Sequence, residues 1–372
     1  PEEGAIMTTT NASTSAARLG RVGLLFAAVL LAGLVAPASA ATIPLGPGPT
    51  DTCHSADGSL TFLLATGNST LTMVDAATQT VLSIFNLGVP PNTAQDIDWH
   101  DGLQDVLVGC NNGTIVAVDP FLPVVGPIVV NAAANYSVIS ADHFIAGADG
   151  WAVDQVSGWL HHFPGGGAFL PVTPVSVVPS TELIEKAVDP LATTPQDGYL
   201  LSLGTAAGVV TVDVFDRATF LPPVPVAYPT AVRQATGITS AVTANAYVAA
   251  NPTTGMPPGE LLHLNLATLA FSPAPVGLLP AALATDLSMA GQFVSVLGAP
   301  QPGPGVEIHI WDAAVPLGEI YAGFIPVDLV NVPLAGFSTR MVGNAGIDGI
   351  RFALLNAAAS ATVLEMEDAR VG

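Results

Sequence analysis

Basic residues are scarce in this 372-residue chain: eight Lys and Arg stand against 29 Asp and Glu, a formal net charge of −21. Such a surface repels nucleic-acid phosphates and anionic lipid, which excludes nucleic acid and leaves cations, neutral glycans or other proteins as partners. Charged residues of either sign make up only 10% of the chain, so Ser, Thr, Asn, Gln, Pro and Ala must cover much of the surface. Cysteine is almost missing too. Cys53 and Cys110 each lack a second cysteine at short metal-ligand spacing, which argues against zinc. In an oxidising compartment the two form a candidate disulfide closing a loop of roughly 57 residues, with free thiols as the open alternative. Also missing are a Gly-x-Ser-x-Gly elbow, a His-Glu-x-x-His pair, a phosphate loop and a dinucleotide fingerprint, so none of those chemistries is signalled. Helical periodicity is nearly absent after residue 40; the weak exceptions are Thr181–Ala187 and Pro280–Met289.

One long apolar run exists. Arg18 and Arg21 precede Val22–Val35, and Ala38-Ser39-Ala40 then supplies small residues of the kind a signal peptidase accepts. The run, about 14 residues, is shorter than the roughly 20 a spanning helix needs. The expectation is a signal peptide cleaved after Ala40, and a secreted, extracellular or cell-surface product that is not an integral membrane protein after cleavage. Residues 41–50 then read as a Pro-rich leader and 51–372 as one domain, whose acidity is compatible with solubility outside the cell.

That domain is built by repetition. An apolar residue followed by Asp or Asn closes a β-rich run at Val74-Asp75, Val118-Asp119, Val153-Asp154, Phe215-Asp216, Leu264-Asn265, Trp311-Asp312 and Leu355-Asn356. The intervals are 44, 35, 62, 49, 47 and 44 residues, about the period of a four-stranded propeller blade. A second landmark keeps the same order: a tight polar turn such as Ala56-Asp57-Gly58 or Gln196-Asp197-Gly198 precedes an apolar strand, here Leu60–Ala65 and Tyr199–Leu203. Thirty-two prolines suit loops between blades and not central strands. The expected fold is all-β, a seven-bladed β-propeller of four-stranded antiparallel blades. Asn331–Glu367 reads as holding four strands of its own, with Thr42–Leu45 as a candidate outer strand for the same blade. The segments Pro164–Pro179 and Leu191–Asp197 read as long loops suited to a specific function.

The first pass resembles the YVTN family of bacterial and archaeal β-propeller repeats. The residues that carry this are Leu63-Leu-Ala-Thr-Gly-Asn68, Leu71-Thr-Met-Val-Asp-Ala-Ala-Thr78 and Val81–Gly88; later passes such as Thr114–Asp119 keep the alternation and lose the signature. The resemblance implies a secreted or surface propeller and transfers no catalytic residues.

Candidate chemistry is sparse. Alternation in Asp96-Ile-Asp98 puts two carboxylates on one face, a candidate metal pair for which calcium is the fitting ion. Turn geometry accounts for the neighbouring His100-Asp101-Gly102. His161 and His162 should point to opposite faces of a strand and so not act jointly. Residues just before each inner strand should line the channel mouth: Asp96, Tyr136, Lys186, Arg233, Asp286 and Asp328, a mixed set suited to a small polar ligand. Asn68, Asn112 and Asn135 open N-glycosylation acceptor patterns. Because acids and histidines are scattered, the favoured function is a non-catalytic binding module for an extracellular protein or glycan. A propeller hydrolase or lyase acting on a lactone or glycan, and a structural subunit that forms a homo-oligomer or filament, stay open.

Overall fold

The computed structural model describes residues 38–367 apart from 142–148, 164–169, 175–179, 187–197, 218, 220–221, 230–232, 241–243, 291–292, 301–305, 314–319, 328–333, 345–346 and 357–359. Short β-branched and apolar runs between Gly-, Asp- and Asn-bearing turns fold into strands throughout. β1 (Ala38–Pro44) belongs to the last sheet. The first sheet contains β2 (Pro49–His54), β3 (Leu60–Ala65), β4 (Thr70–Asp75) and β5 (Thr80–Asn86), and the second β6 (Ala94–His100), β7 (Asp105–Cys110), β8 (Thr114–Asp119) and β9 (Val124–Val130). The third contains β10 (Val138–Ala141), β11 (Gly150–Asp154), β12 (Trp159–Phe163) and β13 (Leu170–Pro174), and the fourth β14 (Ser180–Lys186), β15 (Tyr199–Ala206), β16 (Val209–Asp216) and β17 (Val224–Ala227). In the fifth, β18 (Arg233–Ser240) and β19 (Asn245–Pro252) lead to β20 (Gly259–Asn265), on which both β21 (Ala270–Phe271) and β22 (Gly277–Leu279) pair. The sixth contains β23 (Ala282–Ala290), β24 (Phe293–Pro300), β25 (Val306–Asp312) and β26 (Ile320–Val327). β27 (Leu334–Asn344), β28 (Ile347–Asn356), β29 (Ser360–Glu367) and finally β1 complete the seventh sheet among the described residues.

The first strands of these sheets touch in a closed cycle: β2 meets β6, β6 meets β10, β10 meets β14, and so on through β18, β23 and β27 back to β2. Burial follows this radial order. β3 is buried along its whole length because sheets cover both its faces, whereas the outer strand β5 exposes five of its seven residues. Apolar clusters fill the gaps between neighbouring sheets. Phe62 of β3 stacks on Trp99 of β6 at 5.4 Å between ring centres, within a cluster that includes Leu64, Val108 and Val116.

The last sheet closes differently from the expectation that Asn331–Glu367 holds four strands. Three strands come from this segment, because β27 and β28 take up 11 and 10 residues. The N-terminal β1 supplies the fourth, pairing Ala41–Pro44 with Ser360–Val363 and burying Ile43 against Leu63, Val74, Ala353 and Leu355. Thr42–Leu45 as an outer strand was therefore the better of the two readings. Both helical candidates are strands, β14 and β23. In β23 a bulge between Ala284 and Asp286 shifts the alternation by one residue and gives the buried Ala284 and Leu287 a helix-like spacing of three.

The recurring Asp or Asn has a local cause. Asp75 Oδ1 accepts the Thr78 N–H at 2.8 Å, Asp119 Oδ1 those of Phe121 and Leu122, and Asn265 Oδ1 that of Thr268 at 3.0 Å. Each side chain thereby closes the hairpin to the next strand. Two anchors fall one strand early: Asp154 ends β11 and Asn356 ends β28, second strands of their sheets, and the position of Asp154 explains the irregular intervals of 35 and 62.

Candidate functional site

The centre of the cycle is acidic. In β2, β6, β14 and β23 the pairing register shifts by one residue, and the first residue after each shift is Asp51, Asp96, Glu182 and Asp286 respectively. The equivalent residue is Gly237 in β18 and Gly336 in β27. Three of the acids make one repeated contact with the next sheet. Asp51 Oδ2 accepts the Ile97 N–H, Asp96 Oδ2 the Ile139 N–H and Glu182 Oε2 the Ile238 N–H, all at 2.7 Å. Asp98 Oδ2 adds a parallel bond to the Ala141 N–H at 2.9 Å. Gly237 makes room for two acids, since a Cβ there would lie 3.0 Å from Asp286 Oδ1 and 3.5 Å from Glu182 Oε2.

Packing these carboxyls together makes them reluctant to ionise. Burial, then the charge of Asp51 and a hydrogen bond to it, holds Asp96 well above the usual carboxylate range. Burial raises Asp51 too, partly offset by the hydrogen bond it accepts from Asp96, so the two titrate as a pair that shares one proton. Burial and the facing charges of Asp286 and Asp51 push Glu182 well up. Asp51 and Glu182 lie on the first and fourth sheets and still act on each other, which places both on the central bore.

Asp96 and Asp98 thus share a face, but both receive backbone N–H groups. Among the described residues no group of three His, Cys, Asp or Glu side chains is arranged to hold a metal, and this donor set does not fit calcium. The remaining candidates separate. Asp286 faces the bore, whereas Tyr136 is fully buried, its hydroxyl 2.9 Å from His161 Nδ1 and, through burial first, pushed up to about 12. Tyr136 therefore does not line a mouth. Arg233 opens β18 and is engaged by Glu260 of β20, with its guanidinium 5.0 Å over the Tyr228 ring. Lys186 ends β14, at the opposite end from the start of the strand, because the segment read as a crossover is itself the inner strand. Asp328 lies outside the described residues.

The histidines divide as the strand alternation requires. His161 meets Tyr136, while His162 reaches Asp149 at 3.3 Å and stacks on Trp151, over which Arg217 sits at 4.5 Å. The hydrogen bond from His162 lowers Asp149. His263 lies between Ser272 and Asn245, both at 2.9 Å. Cys53 and Cys110 lie in one apolar cluster without a disulfide between them, so the candidate bridge is not formed; each serves as a small apolar filler, and burial pushes the Cys110 thiol up to about 12. The three glycosylation patterns double as turn chemistry: Asn68 Oδ1 accepts from the Thr70 hydroxyl, and Asn112 and Asn135 from the N–H two residues on.

Sequence reasoning missed Asp51 and Glu182. Asp51 fell at a domain boundary and Glu182 inside a segment with helical spacing. The available signal was an acid inside four of the inner strands, at Asp51, Asp96, Glu182 and Asp286, but the bulges hide that these positions are equivalent.

No family model and no curated protein matches the chain by sequence. Solved structures do match it in shape. Hydrazine synthase of Kuenenia stuttgartiensis superimposes with a TM-score of 0.62 at 14% identity, covering 85% of this chain and 95% of that one. The fold is a β-propeller. The Pan2 WD40 domain of Neurospora crassa (TM-score 0.60, 13% identity, 86% of this chain and 89% of that one) matches it as well. So does the Cps50 (Swd1) β-propeller domain of Myceliophteria thermophila (TM-score 0.59, 12% identity, 87% and 99%). At these identities the likeness concerns the propeller fold alone.

Proposed function

We propose that this chain is a secreted or cell-surface seven-bladed β-propeller acting as a non-catalytic binding module for an extracellular protein or glycan, with a first blade of YVTN type. One observation supports the non-catalytic part: Asp96, Asp98, His263 and Arg233, which the sequence offered for chemistry, are engaged in holding strands and sheets together. Binding then falls to loops and outer surfaces, where propellers vary freely. Signal cleavage after Ala40 is compatible with closure, since Ala41–Pro44 keep their pairing with β29.

The test is a panel measurement on the full chain. Glycan and surface-protein arrays should show binding that is insensitive to chelator, and lactone and polysaccharide panels should show no turnover. Metal-dependent turnover that disappears in Asp96→Asn would replace this reading with the hydrolase or lyase alternative.

A further inference from the structure

The segment around Ala40 carries two demands on one stretch of backbone. In β1, Ala38 pairs with Glu365, and Ala41, Thr42, Ile43 and Pro44 pair with Val363, Thr362, Ala361 and Ser360; Ser39 and Ala40 lie in the register shift between the two stretches. The Ala40–Ala41 bond is therefore flanked by ladder pairs on both sides. Ile43, 3% exposed, holds the strand against Leu63 and Val74 of the first sheet and Ala353 and Leu355 of the last. Seating β1 thus completes the seam between the last blade and the first. Cleavage after Ala40 makes the other demand. A peptidase takes its substrate as an extended strand whose N–H and C=O groups pair with the enzyme, and the residues around the cut cannot serve it while they are paired with β29.

We propose that signal-peptide removal must precede the seating of β1, so that this segment serves first as the substrate strand of the peptidase and only then, from Ala41 onward, as the clasp that closes the ring. This order rests on the secreted or cell-surface reading, in which the residues before Ala41 are a signal peptide. Cleavage leaves the Ala41–Pro44 pairs and the Ile43 contact intact, so the shortened strand still seats. A chain that seats β1 first is protected, because the bond is then reachable only in molecules whose β1 has come away by local opening. Such a chain keeps its apolar run Val22–Val35. The timing of ring closure decides between a processed product and one that retains the run.

The experiment incubates the full chain with a signal peptidase in detergent micelles, with a peptide of residues 20–50 in the same tube to normalise the activity of the enzyme, and reads the cut by mass spectrometry. The folded chain should be cut at least about tenfold more slowly than the peptide, since cleavage waits on opening. Ile43→Asp, which puts a charge into the closing contact and lies outside the residues before the cut, should bring the rate close to that of the peptide. Where that variant does not fold, the wild-type chain in graded urea answers the same question: its normalised rate should climb along the unfolding curve followed by circular dichroism. A folded chain cut as fast as the peptide, or a rate indifferent to both Ile43→Asp and urea, overturns the order and leaves the signal peptide in place. A peptide left uncut, or cut elsewhere than after Ala40, overturns the signal-peptide reading and the order with it.

Discussion

Replacing Asp96 with Asn tests the acidic bore directly. The Asp51–Asp96 pair and Glu182 are all held above their ordinary carboxylate values by burial and neighbouring charge, so the pair and Glu182 should each hold on to a proton in the native state at pH values above about 4, where the unfolded chain has released it. A native pKa raised above its unfolded value contributes stability fully present below the unfolded value and lost as pH rises through the native one. Each extra native proton gives a slope of about −1.4 kcal/mol per pH unit within that window. Two such protons give roughly −2.7 kcal/mol per unit. Asn at position 96 can still accept the Ile139 N–H through Oδ1 and can donate an amide hydrogen to Asp51 in place of the shared proton. His161 and His309, lowered by burial, add a slope of opposite sign below about pH 6.5 in both proteins, so the variant's slope should be less negative than the wild type's by about 1.4 kcal/mol per unit, and the variant should be the more stable of the two at the alkaline end. Urea titrations followed by circular dichroism from pH 4.5 upward, at fixed ionic strength, measure this. Repulsion among the remaining acids is common to both proteins, so the difference between slopes is decisive. A slope that Asp96→Asn leaves unchanged would refute the shared-proton account.

Ring closure by the N-terminal strand makes Ile43→Ala costly, about 2–5 kcal/mol for a buried Ile, read as a lower denaturation midpoint. Trp99→Ala removes the partner of Phe62 between the first two sheets and should cost about 3–5 kcal/mol in the same assay. Cys53 and Cys110 should be silent to a thiol reagent at pH 8 in the native protein, and both should react in denaturant; a mass two units short of the dithiol would contradict the unbridged state. Gly237→Ala places a methyl group against two bore carboxyls and the Leu287 backbone and should destabilise by about 1–3 kcal/mol, less at acid pH than at alkaline.

Much of the architecture was legible because its causes are local. Asp75, Asp119 and Asn265 recur because each closes its own hairpin, and apolar runs such as Leu60–Ala65 recur because a strand covered on both faces tolerates little else. Those causes lie within a few residues, so a linear reading finds them. The bore was not legible in the same way. Asp51 and Glu182 come together only when the fourth sheet faces the first across the ring, and one-residue bulges conceal that they occupy equivalent positions. Closure by β1 and the proton shared between Asp51 and Asp96 likewise belong to the tertiary structure. Each depends on which distant segments meet, and side-chain alternation along a strand carries no information about the neighbour on the far side of the ring.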